Sequence, residues 1–430
     1  MVEAMTVVPI QYNQMSPKKV IVVGGGAIGA GCAYYLSKSG CDVTILDRDQ
    51  FGCACSHGNC GLVSMSHVLP LCQPGAVKRV MKAMTQRNSP FRVRPGLRFD
   101  LWWWLWQFTR RCNERDMLKS ARARAALLAS TGELYRDLIE TESLDCEWET
   151  RGCLFVYQSQ QSMNAYAKLD ELLRQQFDVG AKRLDDDQLH AFEPALKPGC
   201  AAGGFLYEMD ANLRPDRLLS SWRQALERRG VVIRDGCEVK SFVRRESGAV
   251  AVKTSEGEVS ADSFVIATGA WTPMLNRQLG CRVPIQPGKG YSITMPRPEI
   301  CPAAPMIFQD HKVAVTPMQS GYRLGSTMEF AGYDNTIDRR RLALLRDGAS
   351  VYLRDDGTQA VEEEWFGWRP MTCDGVPIID RSPIMDNVFI AAGHNMIGLT
   401  LAPSTGKLVA ELVTGQATHV DPAMYGLGRS

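Results

Sequence analysis

The spacing of apolar and polar positions changes period several times along the chain, and each change marks an element. VIVVGGG at 20–26 is a β-branched run entering glycines, an Ala/Tyr/Leu-rich stretch to Ser39 has helical spacing, and DVTILD at 42–47 returns to a strand. Two polar-helical segments follow, from about 117 to 142 and from about 161 to 177, separated by the strand-like GCLFVY at 152–157. NLRPDRLLSSWRQALERRG at 212–230 predicts a helix with a proline near its start and a glycine after its end. VVIRDGCEVKSFVRR, AVAVKTS and FVIATGAW (264–271) then read as strands, and residues 285–330 alternate as sheet does. NVFIAAG, from 387, leads through a glycine turn into a helix ending near Val413. There is no internal repeat and no low-complexity tract. The expected class is α/β, with a dinucleotide-type domain interrupted twice by a second domain.

Composition narrows this little. A chain of 430 residues, 45% hydrophobic and 22% charged, can bury a large core. A net charge of +2 gives no broad attraction to nucleic acid. Fourteen cysteines without a regular framework read as reduced thiols used as small apolar residues, which fits a reducing cytoplasm. The first 19 residues lack a basic start, apolar core and cleavage site, so no secretory signal is expected, and no apolar run reaches membrane-spanning length.

The strongest chemical signal is VGGGAIGAG. Gly24, Gly26 and Gly29 have the G-x-G-x-x-G spacing, with Ala27 and Ile28 opening the helix. The first glycine permits the turn, the second lets a pyrophosphate approach the backbone, and the third lets helix pack on strand. Asp47, eighteen residues after Gly29 at the end of the second strand, is placed to accept hydrogen bonds from an adenosine ribose, with Arg48 beside it. The spacing fits NAD or FAD equally.

FGCACSHGNCGLVS at 51–64 carries Cys53, Cys55 and Cys60 around His57. A structural zinc needs four ligands, usually as two spaced pairs. This C-x-C-x4-C run has no second pair and matches no common zinc or iron–sulfur spacing, so no metal is expected.

KGYSITM (289–295), GWRPMTCDGVPIIDRS (367–382) and NVFIAAGHNMIGLTLAPSTGKLVAELVTG (387–415) complete the pattern. With them the chain, from Val20 to about Gly415, resembles the FAD-dependent amine oxidoreductases of the D-amino acid oxidase superfamily. Within it the chain looks like the bacterial D-amino acid dehydrogenases of small-subunit type. The resemblance implies a Rossmann-like FAD-binding domain over 17–95, 200–284 and 365–430, and an interleaved α+β substrate domain on a mixed or antiparallel sheet over 96–199 and 285–364. Residues 1–16 would be an N-terminal extension.

The same resemblance assigns roles. Arg369, in RP-x-T, would pair with the substrate carboxylate, for which a planar guanidinium fork is suited; a structural ion pair with Glu362, Glu363 or Glu364 is the alternative. Gly393, His394, Asn395, Met396, Gly398, Leu399 and Thr400 would bring backbone and a helix N-terminus to the flavin. His394 invites a catalytic role, although packing suits it better. Val239 would hold the adenine, and Thr268 and Gly269 a second cofactor-contacting strand end. Tyr291 is a candidate for the substrate cavity, with a core tyrosine as the alternative, and Lys289 either lies near the flavin or, the favoured reading, is a solvated turn residue. In the cysteine-rich loop, Ser56, His57, Asn59, Gly61 and Leu62 would run along the pyrophosphate and ribityl chain, with Cys60 standing where relatives have alanine. His57 replaces a small residue, so it must turn outward or crowd the cofactor.

The implied activity is oxidative deamination of a D-amino acid, with hydride passing from Cα to flavin N5 and the imine hydrolysing to keto acid and ammonia. The alternatives are a cyclic or N-substituted amino acid (D-proline, D-hydroxyproline, sarcosine or glycine) and a non-catalytic electron-relay subunit. Met396, where glycine oxidase has arginine, tilts away from that enzyme. Cys373 is offset from the position where some relatives attach flavin, which favours non-covalent FAD. The electron acceptor, quinone or O2, stays open. LWWWLWQFTRR at 101–111 reads as a helix buried against the substrate domain, or alternatively as a peripheral membrane or partner-docking face. DRRR at 338–341 reads as a solvated helix start.

Overall fold

The computed structural model describes residues 16–84, 89–94, 98–355 and 360–429; the expected extension lies, but for its last residue, outside the described residues. Four separated parts of the chain build one six-stranded sheet, in the order Ile378–Ser382, Met385–Ala392, Ser263–Ile266, Lys19–Val23, Asp42–Leu46, Val232–Arg234. Its neighbours are parallel except for the first pair. The central strands are apolar almost throughout because both faces are covered.

One face carries the helix Ala27–Lys38 with Ala402–Thr414 packed across it. A Cβ on Gly31 would lie 2.3 Å from the Ala402 carbonyl oxygen, and one on Gly406 2.3 Å from the Gly31 carbonyl, so these helices meet backbone to backbone. The other face carries the antiparallel strands Val239–Arg245, Gly248–Thr254 and Gly257–Ser260.

The second sheet is mixed. Its order is Glu363–Thr372, Ile285–Met295, Gly321–Phe330, Val313–Met318, Met306–Phe308, Cys153–Tyr157, Gly203–Tyr207, Lys182–Leu184, and Phe91–Val93 pairs with Gly321–Phe330. Three of these strands depart from the sequence-based partition: Phe91–Val93, Gly203–Tyr207 and most of Glu363–Thr372 fall in segments assigned to the dinucleotide part. A short apolar run states that a strand exists but not which distant strand it will pair with.

Local expectations mostly hold, with instructive exceptions. The long helix runs Glu114–Glu142, started by Asn113 accepting from the Asp116 amide. Pro215 opens the helix Pro215–Arg228, and Gly230 follows its end at φ +84°. FVIATGAW is strand only to Ile266, after which Gly269–Leu275 forms a 3-10 turn. Arg339 and Arg340 are exposed at the start of the helix Arg339–Ser350, but Arg341 is buried and donates to the Ser89 carbonyl. Lys289 is no turn residue: it sits 1% exposed inside Ile285–Met295, its ammonium on the Thr336 carbonyl and 4.5 Å from the Phe366 ring centre.

Candidate functional site

A cavity of about 1590 Å3 runs from the carboxyl ends of Lys19–Val23 and Asp42–Leu46 to the edge strand Glu363–Thr372. Open parallel sheets place ligands at this end because the strand-to-helix turns present free amides there.

The three motif glycines are required for different reasons. Gly24 has φ +106°, and a Cβ there would lie 2.6 Å from the Ala267 carbonyl oxygen. A Cβ on Gly29 would fall 1.8 Å from the Gly24 carbonyl oxygen, so helix and turn touch only through glycine. At Gly26 a Cβ would meet only the Ser56 hydroxyl, at 3.5 Å, so the protein itself leaves this glycine room. The space kept clear at Gly26 is cavity, at the N-terminus of Ala27–Lys38, where the amide of Ala27 donates to the Ser56 hydroxyl at 3.1 Å. Asp47 accepts from the Gly25 amide at 2.6 Å and the Asp49 amide at 2.8 Å, and burial raises its pKa. Arg48 lies with its guanidinium 4.1 Å from the Trp271 ring centre. Val239, Thr268 and Gly269 border the same end of the cavity, and Ile28 and Leu62 its wall. This arrangement fits an extended dinucleotide: open space over a helix N-terminus, with a carboxylate beyond it.

The loop after the second strand is fixed by a residue the sequence did not single out. Arg323, 1% exposed, donates from Nη1 to the carbonyls of His57 (2.9 Å) and Asn59 (2.8 Å), and from Nε to Thr294 (2.9 Å). Asn59 in turn receives the Gly61 amide at 2.9 Å, where φ is +75°. His57 turns outward: Nε2 meets Glu363 at 2.8 Å, a contact that lowers the Glu363 pKa, and His57 is absent from the cavity wall. Cys60 packs on Gly325, where a Cβ would lie 2.3 Å from its sulfur. Burial pushes the Cys55 thiol up to about 11, as suits an apolar residue. No group of side chains that could hold a metal exists among the described residues.

The turn at 393–401 closes the floor. Gly393 (φ +80°) and Asn395 (φ +54°) take left-handed conformations. The Asn395 side chain is bonded to the Thr372 amide at 3.0 Å and Thr372 hydroxyl at 2.9 Å, clamping the turn to the Arg369 strand. Thr400 receives the Ser64 amide at 3.2 Å, and the Leu399 carbonyl receives the Tyr135 hydroxyl at 2.5 Å. Met396 and Gly398 line the cavity. His394 is 1% exposed with Nε2 on the Thr405 hydroxyl at 3.0 Å, and burial pulls its pKa down to about 3. Although it borders the cavity, its burial and its bond to Thr405 suit the packing role better than that of an acid or base.

Arg369 reaches the cavity without an acidic partner among the described residues: its Nη1 donates to the Thr327 carbonyl at 2.8 Å and Nη2 approaches that of Ser326 at 3.5 Å. Glu363 is taken by His57 and Glu364 by Arg339, so the ion-pair alternative for Arg369 has no support in this geometry. Tyr291 follows the core alternative more than the cavity one. Cross-strand pairs share a face, and the register sets Arg369 opposite Gly288 but Tyr291 opposite Phe366, one residue out of phase. Tyr291 therefore points to the other side of the sheet, where its hydroxyl donates to Glu329 at 3.1 Å, and only borders the cavity.

Residues 19–412 match the family model described as FAD dependent oxidoreductase. The chain is 30% identical over 416 residues to a D-amino acid dehydrogenase of Granulibacter bethesdensis, covering 96% of this chain and 99% of that one. It is 32% identical over 415 residues to one of Methylobacterium nodulans, covering 94% and 96%. Among solved structures, glycine oxidase from Geobacillus kaustophilus superimposes with a TM-score of 0.78 at 21% identity, over 96% of this chain and 99% of that one. The chain belongs to the FAD-dependent oxidoreductases of the D-amino acid oxidase family. Its cofactor is FAD.

Proposed function

We propose that this protein oxidises the Cα–N bond of D-amino acids, with non-covalent FAD as the electron acceptor in the site. The observation that carries the reading is Arg369: a cation in the cavity wall, held by neutral carbonyls and left without an acid among the described residues, on the sheet face against which the cofactor loop packs. The curated relatives at about 30% identity are D-amino acid dehydrogenases, which supports the substrate class and the enantiomer.

When bound, FAD supplies the acceptor for a hydride. The chain's part is to bind and orient. The Arg369 fork takes both oxygens of the substrate carboxylate, which fixes the Cα hydrogen relative to the cavity floor at 393–400. Met328, Trp365 and Met396 wall the space and exclude water. The ammonium proton leaves to solvent, because the two imidazoles that line the cavity among the described residues, His67 and His394, are buried with pKa values pulled down to about 3, and His394 Nε2 is bonded to Thr405. Water then hydrolyses the imine to keto acid and ammonia.

We propose further that the electrons pass to a quinone at a membrane surface. In Phe99–Arg111, Leu101 and Trp104 are buried, with the Trp104 indole NH on the Met371 carbonyl at 3.0 Å, while Phe99, Trp102 and Trp106 are 79%, 55% and 45% exposed. Ala76–Met84, which borders the same cavity, exposes Met81 and Met84 next to Lys78, Arg79 and Lys82. Basic and aromatic residues mixed in this way suit an anionic lipid interface. No helix among the described residues is long and apolar enough to cross a membrane.

The test is a panel of D-, L- and N-alkyl amino acids mixed anaerobically with the holoenzyme, followed by reoxidation with air or quinone. D-amino acids should bleach the flavin fastest, and quinone should restore it faster than air. Bleaching by N-alkyl or L-amino acids alone would reassign the substrate.

A further inference from the structure

The strand next to Arg369's own neighbour is irregular where the guanidinium meets it. Lys289 pairs with Glu329, but Tyr291 pairs with Ser326, so Gly290 alone faces two residues, Thr327 and Met328. This is a β-bulge, a device that re-aims groups next to functional sites. Its backbone is strained: Ser326 has φ +147° and Thr327 φ +55°, and a β-branched residue is among the least tolerant of that region. The carbonyls of these same two residues face Arg369, at 2.8 Å from Nη1 and 3.5 Å from Nη2.

Across from the bulge, Gly290 completes the seat. A Cβ there would lie 2.1 Å from Arg369 Nη1 and 2.3 Å from Cζ, so the guanidinium rests on bare backbone. Arg369 is thus confined between a glycine and two carbonyls, on a strand clamped by Asn395 through Thr372. A carboxylate partner would also orient it, but would compete with the substrate for its charge. Neutral carbonyls orient the fork and leave the positive charge for the ligand.

We propose that the Ser326–Thr327 bulge and Gly290 form a positioning device that aims Arg369 and so sets the pose of the substrate carboxylate. This rests on the reading of Arg369 as the carboxylate anchor. The strain at Thr327 persists because this seat requires it.

The test uses the FAD-loaded enzyme with Gly290→Ala and, separately, Thr327→Gly. Two ligands are compared: D-alanine, followed by steady-state kinetics, and propionate, followed by perturbation of the flavin spectrum. In Gly290→Ala the atoms nearest the added methyl are all at the far end of Arg369. FAD content and melting temperature should therefore stay at wild-type values, while the propionate Kd and the D-alanine KM rise by about 30-fold, more than kcat falls. Thr327→Gly relieves the positive φ, so its melting temperature should match or exceed wild type while propionate binds about 5-fold more weakly. Wild-type propionate affinity in both variants would overturn the proposal, as would weakening that appears only together with lost FAD or a lower melting temperature. If wild type binds propionate but no amino acid reduces its flavin, the proposed function fails while the seat stands. No binding of propionate by wild type would overturn both.

Discussion

The two ends of the cavity are built on opposite plans. At the dinucleotide end the work is done by side chains that are missing: Gly24 and Gly29 let backbone meet backbone, and Gly26 keeps space clear at a helix start. At the substrate end a specific side chain, Arg369, is aimed by its surroundings, and those come from strands far apart in sequence. The first plan tolerates little change in a short contiguous stretch. The second distributes its precision over Gly290, Ser326, Thr327, Thr372 and Asn395.

The contrast can be sharpened inside the first end. Gly26→Ala puts a methyl into space the protein leaves open, so FAD affinity should fall at least about 100-fold while the apoprotein keeps its fold and melting temperature. Gly29→Ala drives a methyl into the Gly24 carbonyl, so the apoprotein itself should lose about 3 kcal/mol of stability, measured by denaturant unfolding. Equal behaviour of the two variants would break the distinction between ligand space and packing space.

Arg323 links the two ends, since it holds the cofactor loop from the substrate sheet. Arg323→Met should weaken FAD binding about 10-fold, read by fluorescence titration, as two loop carbonyls lose a charged donor.

The smallest effect concerns His394. Its folded pKa near 3 lies below an ordinary histidine value of about 6.5, so below pH 6.5 the unfolded chain takes up a proton that the folded chain refuses. Its contribution is intact above about pH 6.5 and is lost as pH falls from there toward 3. Between pH 7.5 and 5.5 wild type should lose about 1.4 kcal/mol more than His394→Gln does. Equal losses would mean that His394 is protonated in the fold.

Much of the first end was legible in the sequence because its signals are local. A strand, three spaced glycines and an acid at the end of the next strand state the turn, the space left open at Gly26 and the place of the carboxylate within one short stretch. The outward turn of His57 was one of two outcomes the sequence left open. The second end was legible only as Arg369. The face of Tyr291 depends on a register set by the pairing of Ile285–Met295 with Glu363–Thr372, and Lys289 was misread because its partners, Thr336 and Phe366, lie 47 and 77 residues away. Arg323 is an arginine in an alternating strand, and nothing near it in sequence states that it is buried. Trp104 inside and Trp102 and Trp106 outside follow from helical spacing, but which face is covered depends on the sheet the helix packs against, which lies far away in sequence.

The measurement that bears most directly on the central claim is anaerobic stopped-flow reduction of wild type and Arg369→Ala by D-alanine. The lost carboxylate anchor should raise the D-alanine concentration for half-maximal bleaching at least about 100-fold, with FAD still bound. Half-maximal bleaching at the wild-type concentration in Arg369→Ala would contradict the account.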